Sequence, residues 1–270
     1  MKVYIFTDME GVSGIHRVEF AQRGTDRYEE GRKLMTADAN AAIAGCFDGG
    51  ATEVVVRDWH ANGDNFVMEE MDARAVIDHG GEGAWWGCLD ESFDAVLIVG
   101  MHAMAGTMNA FLDHTQNSGS WYEYLLNGRA VGETGQIACL AGGFDKPVVM
   151  VSGDKAATEE ATQLLGPIEV AAVKEGTGRG YAVCLAPKKA RELIRQAACR
   201  SLKLAKKIKP WKPKLPIEVV LKLNRTDTAD TIAFRPGNER VDSRTVRRVV
   251  NEASRILEIF LDARPTKKQA

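Results

Sequence analysis

Two acidic residues directly follow the first apolar run of the chain. Residues 2–7 (KVYIFT) predict a buried strand, and Asp8 and Glu10 come after it, before Gly11. Side chains two positions apart in an extended backbone point the same way, so both carboxylates can converge on one point. Two like charges at the end of an apolar strand are unfavourable unless a positive charge lies between them. The segment therefore indicates a divalent metal site, although such a pair can also form a solvated turn or a helix cap.

Three of the five histidines stand where predicted strands end or in the loop beyond them. His60 and His102 each follow a short apolar run, EVVVRD and DAVLIVG, and His114 lies in a polar loop after the second run. In open α/β sheets, ligands bind in the crevice beyond the carboxyl ends of the strands. A single histidine after a strand is usually structural, but recurrence at the same topological position favours a metal site shared with the two carboxylates. Carboxylate and imidazole ligands suit zinc and its borderline neighbours.

A further carboxylate, Glu133, has two interpretations. It follows Asn127-Gly128, a strong hairpin signal, and precedes an apolar helical stretch over residues 134–140. A glutamate at that position can simply stabilise a helix N-terminus through the helix dipole. The local sequence alone favours this structural role over a ligand role.

The composition is that of an ordinary globular protein. The chain has 270 residues, of which 45% are hydrophobic and 27% charged, enough for two domains with proper cores. Its formal net charge of −2 gives no reason to expect nucleic acid or an anionic membrane as a partner. We see no signal peptide and no apolar run near the roughly 20 residues that span a bilayer. The five cysteines are scattered without CxxC pairs, which indicates a reducing, cytoplasmic location.

Strands that alternate with helices predict the fold class. Over residues 1–173, apolar runs suited to buried strands alternate with stretches of helical periodicity. Such alternation is typical of a mostly parallel sheet covered on both faces. We predict an α/β fold with a three-layer, mostly parallel sheet domain over residues 1–180 and a second, smaller α+β domain over residues 181–270. The predicted strands are 2–7, 53–58, 75–78, 94–100, 147–152, 169–173 and 217–223, the predicted helices are 27–47, 134–140, 155–165, 188–208 and 243–261, and a hairpin is predicted over 121–131.

Two other segments invite a functional interpretation. Residues 175–180 (EGTGRG) resemble a phosphate loop but lack its Lys-Ser/Thr, so we interpret them as a hinge or interdomain turn. Residues 206–214 form a basic stretch that contains Trp211. That composition can indicate a nucleic-acid contact, but we interpret it as a solvated helix end and a proline-stiffened connector.

Six sequence blocks resemble one known family. They are TDMEG (7–11), RDWH (57–60), GMHAMAGT (100–107), DHT (113–115), NGRAVGETG (127–135) and PVVMVSGD (147–154). In this order and at this spacing they resemble the zinc-dependent D-aminopeptidases of the DppA type, peptidase family M55, over nearly the whole chain. Any one block alone would be weak, but the set is specific. The family often has Ser where this chain has Thr7, which keeps the hydroxyl group.

The resemblance implies a set of five metal ligands for two zinc ions per subunit. Asp8 would bridge the two ions. Glu10 and His60 would complete the shell of one ion. His102 and Glu133 would bind the other, so the resemblance reverses the structural interpretation of the glutamate.

The chemistry that such a centre supports is hydrolysis. Two-metal sites hold their cations about 3.5–4 Å apart and lower the pKa of bound water towards about 7. The resemblance implies that His114 is the catalytic residue, and we favour an acid/base role for it over a nucleophilic one because a metal-bound hydroxide already provides a nucleophile. We expect a binuclear zinc aminopeptidase that hydrolyses the N-terminal peptide bond of short peptides, with peptides of D-amino acids as the implied substrates.

Two alternative functions are compatible with the same residues. One is another two-metal hydrolase, acting on phosphoesters or non-peptide amides, but phosphate chemistry usually recruits Arg or Lys and only Arg57 lies beside a ligand block. The other is a non-catalytic metal-binding protein. Structural zinc sites are closed, whereas five ligands shared by two ions leave positions open.

The resemblance also implies partners. A short peptide is the expected substrate, and a homo-oligomer, by resemblance a ring of ten subunits, is the expected assembly. Selectivity for D- over L-residues depends on where a side chain is sterically excluded. The sequence does not specify that placement.

Overall fold

Two β-sheets with helices packed against them form the fold. The computed structural model describes residues 1–80 and 85–261. The strands in these ranges are β1 (Lys2–Thr7), β2 (Glu53–Asp58), β3 (Val76–Asp78), β4 (Ala95–Met101), β5 (Trp121–Leu126), β6 (Arg129–Ala130), β7 (Val148–Asp154), β8 (Glu169–Gly178), β9 (Tyr181–Cys184), β10 (Ile217–Leu223), β11 (Asn238–Arg240) and β12 (Thr245–Val250). The α-helices are α1 (Tyr28–Asp48), α2 (Glu133–Gly143), α3 (Lys155–Leu165), α4 (Pro187–Ser201) and α5 (Thr226–Ala233).

The first sheet is mostly parallel, as predicted. Its strand order is β3-β2-β1-β4-β7-β8-β9, and only the β8–β9 pair is antiparallel. The apolar runs that mark β1, β4 and β7 are buried almost throughout, as expected for strands covered on both faces. In the centre of the sheet, Val3 of β1 pairs with Val54 on one side and Ala95 on the other.

Helices cover both faces of this sheet, which gives the predicted three layers. Alternate residues of β1 point to opposite faces. Val3 and Ile5 pack into one core with buried residues of α1 and α4, while Tyr4 and Phe6 pack into another with residues of α2 and α3. Helices α1 and α4 therefore cover one face of the sheet, and α2 and α3 cover the other.

The second sheet is antiparallel and smaller. Its strand order is β11-β12-β10-β5-β6, and its apolar face packs on α5 and on the 3₁₀ segment Ala253–Ile259. Cys139 of α2 also belongs to this core, whereas Ile137 of the same helix packs against the first sheet. Helix α2 is therefore buried between the two sheets, which explains its nearly continuous apolar composition. The predicted fold class, α/β with a smaller α+β unit, is confirmed.

The two sheets do not divide the chain at residue 180, where the sequence analysis placed a boundary. Strand β9 and helix α4 follow that residue, yet β9 is an edge strand of the first sheet and α4 packs on α1. Conversely, β5 and β6 precede it and join the second sheet. The hinge or interdomain turn predicted at residues 175–180 is wrong, because residues 175–178 are the end of β8 and residues 179–180 form the turn of the β8–β9 hairpin within the first sheet.

The predicted final helix over residues 243–261 is also wrong. The segment forms β12, which pairs with β10 in the second sheet, and then the 3₁₀ segment. Val246, Val249 and Val250 have the i, i+3, i+4 spacing of a helix, but Val246 and Val250 are buried and Val249 is exposed, as the alternation of a strand requires. The β-branched run TVRRVV favours a strand. Within the described ranges, no helix combines the length and apolar character that a membrane-spanning segment requires.

Candidate metal centre

Three neighbouring strands of the first sheet deliver side chains to one point at its carboxyl edge. Strands β2, β1 and β4 lie side by side, and His60, Asp8 and His102 come directly after them. The turn after β1 is held against β4, because the Asp8 N–H donates to Val99 O at 2.8 Å and the Gly11 N–H to Gly100 O at 2.8 Å. A Cβ on Gly11 would lie 2.1 Å from Met101 O. Only glycine permits this close approach.

The first group of donors contains Asp8, Glu10 and His60. His60 Nδ1 lies 3.3 Å from Asp8 Oδ1 and 3.1 Å from Glu10 Oε2. The other ring nitrogen, Nε2, lies 2.9 Å from Ala21 O. Because a carbonyl only accepts, Nε2 must carry a hydrogen, and Nδ1 is the ring nitrogen that faces the carboxylates and can bind a cation once it is deprotonated. An imidazole fixed in this way is prepared to bind a cation.

The second group contains His102, Glu133 and His114. His102 Nε2 lies 3.4 Å from Glu133 Oε1, and His114 Nε2 lies 3.9 Å from the same oxygen. His102 Nδ1 is 2.9 Å from Ala103 O, so it must be the protonated nitrogen and leaves Nε2 free towards the centre. In each of the two groups, the donor atoms lie within 4.8 Å of one another, close enough to hold a metal ion.

Asp8 connects the two groups. Its Oδ1 faces His60 at 3.3 Å, and its Oδ2 faces His102 Nε2 at 3.3 Å. Among the described residues, Asp8 Oδ2 and His102 Nε2 are both buried and have no hydrogen-bond partner. Buried polar atoms without a partner are costly in a native fold. Two of them directed at each other fit a cation that would lie between them.

Charge in the centre also favours a cation. Burial alone would lower the pKa of His60, but Glu10 and Asp8 overcome this and raise it to about 12. Burial tends to raise the pKa of Glu133, but His102 and His114 hold it at about 2. Without a metal, the buried carboxylates therefore stabilise protonated imidazoles. A divalent ion can replace these protons, since its ligands must be deprotonated.

His114 is placed differently from the other members of the centre. Its ring stacks on that of His102, with centroids 3.9 Å apart and planes inclined by 13°. Its Nδ1 lies 2.8 Å from Leu112 O, so Nδ1 carries the hydrogen and the Nε2 lone pair points into the centre. The side chain is 16% exposed, against 1% for His102. A substrate can therefore reach His114 more readily than the histidine beneath it.

Glu133 is at once the first residue of α2 and a member of the centre. Its Oε2 accepts the indole N–H of Trp59 at 2.5 Å, and its Oε1 accepts the backbone N–H of Gln116 at 2.7 Å. Gln116 adopts a left-handed backbone with φ of 58°, which is uncommon for a residue with a side chain. Neither partner of Glu133 was predicted from the sequence. The adjacency of Trp59 to His60 was the available signal for the first.

Removing one of these hydrogen bonds should weaken metal binding at the second group. In Trp59→Phe an aromatic ring remains, but the indole N–H that orients Glu133 is lost. Partners that orient ligands typically change metal affinity by about 10–100-fold, and we expect roughly 10-fold here. Competition with a chromogenic chelator measures the affinity, and Trp86→Phe, whose ring packs against Trp85 and Phe144, is the matched control. Equal affinities in the two variants would contradict the orienting role.

A buried lysine lies behind the first group. Lys174 of β8 is 3% exposed, and its Nζ lies 2.6 Å from Glu10 O and 2.5 Å from Ile15 O. Burial lowers its pKa to about 8, so the side chain is largely charged at neutral pH. No role for Lys174 was predicted from the sequence.

A cavity of about 520 Å³ lies beside the centre, at the carboxyl ends of β2 and β3. Trp59 and Gln116, which both bond to Glu133, form part of its wall. Leu257 of the 3₁₀ segment and the following Phe260 and Leu261 also line it. Cavities of this size, with mixed apolar and polar walls, are typical of small-molecule sites.

Comparison with known proteins decides the family. The model of the peptidase family M55, the D-aminopeptidases, matches residues 1–261. The chain belongs to the M55 family. A D-aminopeptidase of Bacillus subtilis (strain 168) is 38% identical over 220 residues, which cover 79% of this chain and 78% of that protein.

A solved structure agrees with this M55 assignment. The Zn-dependent D-aminopeptidase DppA from Bacillus subtilis, described as a self-compartmentalizing protease, superposes with a TM-score of 0.92. It is 32% identical, and the match covers 96% of this chain and 95% of that one. The predicted family and the predicted enzyme class, a metallo-aminopeptidase, are confirmed.

Proposed function

We propose that this M55 member is a binuclear zinc aminopeptidase that removes the N-terminal residue of short peptides, with D-residues preferred. The observation that carries the proposal is the position of Asp8, which offers one carboxylate oxygen to each donor group. A bridging carboxylate is typical of two-metal hydrolases. The zinc dependence and D-aminopeptidase activity of the solved relative support the choice of metal and substrate.

The ligand set that we propose follows from the two groups. Asp8 would bridge the two ions, Glu10 and His60 would complete one shell, and His102 and Glu133 the other. Imidazole and carboxylate donors without thiolate suit zinc. Zinc at this centre would supply a Lewis acid and an activated water for hydrolysis.

His114 is the residue that we assign to proton transfer. Its Nδ1 is committed to Leu112 O, so only Nε2 can accept a proton and return it to the leaving amine. This nitrogen is 3.9 Å from Glu133, farther than that of His102 at 3.4 Å, which favours a role beside the ions rather than on them.

The adjacent cavity supports a peptide substrate. It provides the aromatic rings of Trp59 and Trp85 for an apolar side chain and polar groups for a peptide backbone. A phosphoester substrate is less well supported, because Arg57 is 3.6 Å from Asp78 and donates to Trp85 O. Its charge is thus balanced locally.

We also propose that the chain assembles into a homo-oligomer, a ring of ten subunits. The support is the self-compartmentalizing character of the solved relative, whose fold covers 96% of this chain. Sedimentation velocity of the purified protein measures the assembly directly.

Chelator-treated protein should lose peptide hydrolysis and regain it with two equivalents of zinc per subunit. The substrates are matched dipeptides of D- and L-alanine, and we expect at least about 10-fold higher kcat/KM for the D-dipeptide, about 1.4 kcal/mol of discrimination. Metal analysis gives the stoichiometry. Recovery with magnesium alone, together with hydrolysis of a phosphoester, would refute the aminopeptidase proposal in favour of the phosphoesterase alternative.

A further inference from the structure

We propose that Lys174 is a positioning residue that selectively supports the first metal site, the group of Asp8, Glu10 and His60. The inference rests on the proposed two-metal function. Lys174 touches no donor atom of the centre in the contacts described. It acts on the backbone that carries Glu10 and on the loop that carries His114.

The lysine holds the ligand loop at two points. Its ammonium donates to the carbonyl of Glu10 itself and to that of Ile15, five residues later. These bonds close the segment between them into a loop supported from β8. In the described part of the chain, its hydrogen-bond partners are these backbone carbonyls and not carboxylates. The charged ammonium group of Lys174 therefore fixes the backbone of the loop between Glu10 and Ile15.

A second pair of buried groups restrains the same loop from another side. The Ser13 N–H and Oγ donate to the carboxylate of Asp38 on α1, at 2.8 and 2.7 Å. Asp38 and Ser13 are both fully buried. The loop is thus held by a cation from β8 and an anion from α1. Of the two, only Lys174 bonds to a residue of the donor groups.

The same lysine contacts the loop that carries His114. Its Nζ lies 4.8 Å from the centre of the Phe111 ring. The Phe111 backbone is fixed on β7, because its N–H donates to Asp154 Oδ2 at 2.7 Å. A Cβ on Gly176 would lie 2.5 Å from Phe111 N, so this loop rests directly on β8 as well. Lys174 therefore lies between the two functional loops.

The effect on metal binding should be selective because the proposed ligands of the second group, His102 and Glu133, have supports that do not involve Lys174. His102 is oriented by Ala103 O, and Glu133 by Trp59 and Gln116. Among the described residues, the hydrogen bonds of Lys174 reach neither Ala103, Trp59 nor Gln116. Loss of the lysine should displace the Glu10 carboxylate from His60, 3.1 Å away, and leave His102 and Glu133 in place.

The test is a stepwise zinc titration of Lys174→Met against wild type, with chelator competition. Glu10→Gln and Glu133→Gln, each lacking one ligand, assign the two equivalents to their groups. We expect about 10–100-fold weaker binding at the first group and a change below about 2-fold at the second. With one equivalent of cobalt, the visible spectrum should change as well, since it reports the geometry of the ligands.

Two further variants keep the test decisive. Lys155→Met removes an exposed lysine of α3 that pairs with Glu175 on β8, the strand that carries Lys174. This variant should bind both zinc equivalents with unchanged affinity. Lys174→Gln keeps an amide NH₂ group that can donate to a backbone carbonyl, so it should weaken the first equivalent less than Lys174→Met. It carries the test if Lys174→Met does not fold. Unchanged affinities in the Lys174 variants, or an equal loss at both groups with a lower Tm, would overturn the inference. Fewer than two equivalents in wild type would instead refute the two-metal proposal.

Discussion

His114→Ala should abolish most peptide turnover while the protein keeps its full zinc content. General acid–base catalysis contributes about 10²–10⁴-fold, and we expect kcat to fall within that range. The ring stacks on His102 with its Nε2 directed at the centre, and a methyl group in its place leaves the proposed ligands untouched. Steady-state kinetics with a D-dipeptide and metal analysis of the same preparation measure the two quantities.

The outcome distinguishes the two roles that the geometry allows. His114 shares a donor group with His102 and Glu133, so it could serve as a third ligand. Loss of one zinc equivalent in His114→Ala would show that it does, and the acid/base assignment would fail. His16→Ala is the matched control, because this histidine is exposed and its Nδ1 bonds to Gly14 O. It should retain both activity and zinc.

The sequence predicted the first sheet well because burial on both faces leaves an unambiguous signal. Runs such as VYIF in β1 and AVLIV in β4 are almost fully buried and lie where they were predicted. The turn at Asn127-Gly128 was equally clear, since both residues adopt the positive φ that the hairpin requires, 50° and 79°. Local chemistry alone specifies such elements.

The second sheet was harder to predict because its strands come from distant parts of the chain. β5 and β10 are neighbours in space, but residues from both sheets separate them in sequence. The valines of β12 fit both the 3.6-residue period of a helix and the two-residue period of a strand. Pairing with β10 decides for the strand. Local patterns do not encode which sheet a short strand joins.

The residues of the candidate site also fall into those that the local sequence predicted and those that depend on tertiary structure. Asp8, Glu10, His60 and His102 were predicted from their common position after strands, and β2, β1 and β4 bring them together. For Glu133 the local sequence favoured a helix N-terminus, which it is, and only the family resemblance suggested a ligand. The supporting residues were missed, because the direction of a side chain such as that of Trp59 depends on tertiary packing.

Asp8→Asn should have the largest effect on the metal centre. The substitution keeps the shape of the side chain and the backbone bond to Val99 O, but it removes the charge that faces both His60 and His102. An amide cannot neutralise two cations, so bound zinc should fall from two equivalents to one or none. Turnover should fall to the level of chelator-treated protein. Metal analysis and kinetics at saturating zinc measure these effects.

The matched control for this prediction is Asp94→Asn. Asp94 is an exposed aspartate at the opposite edge of the same sheet, where it accepts the N–H of Lys2 at 2.8 Å. Its loss should leave zinc content and turnover near wild type. If Asp8→Asn retains two equivalents of zinc, the bridge is not the aspartate, and the two donor groups must hold their ions independently. The centre would then lack the feature that joins His60 and His102 into one catalytic unit.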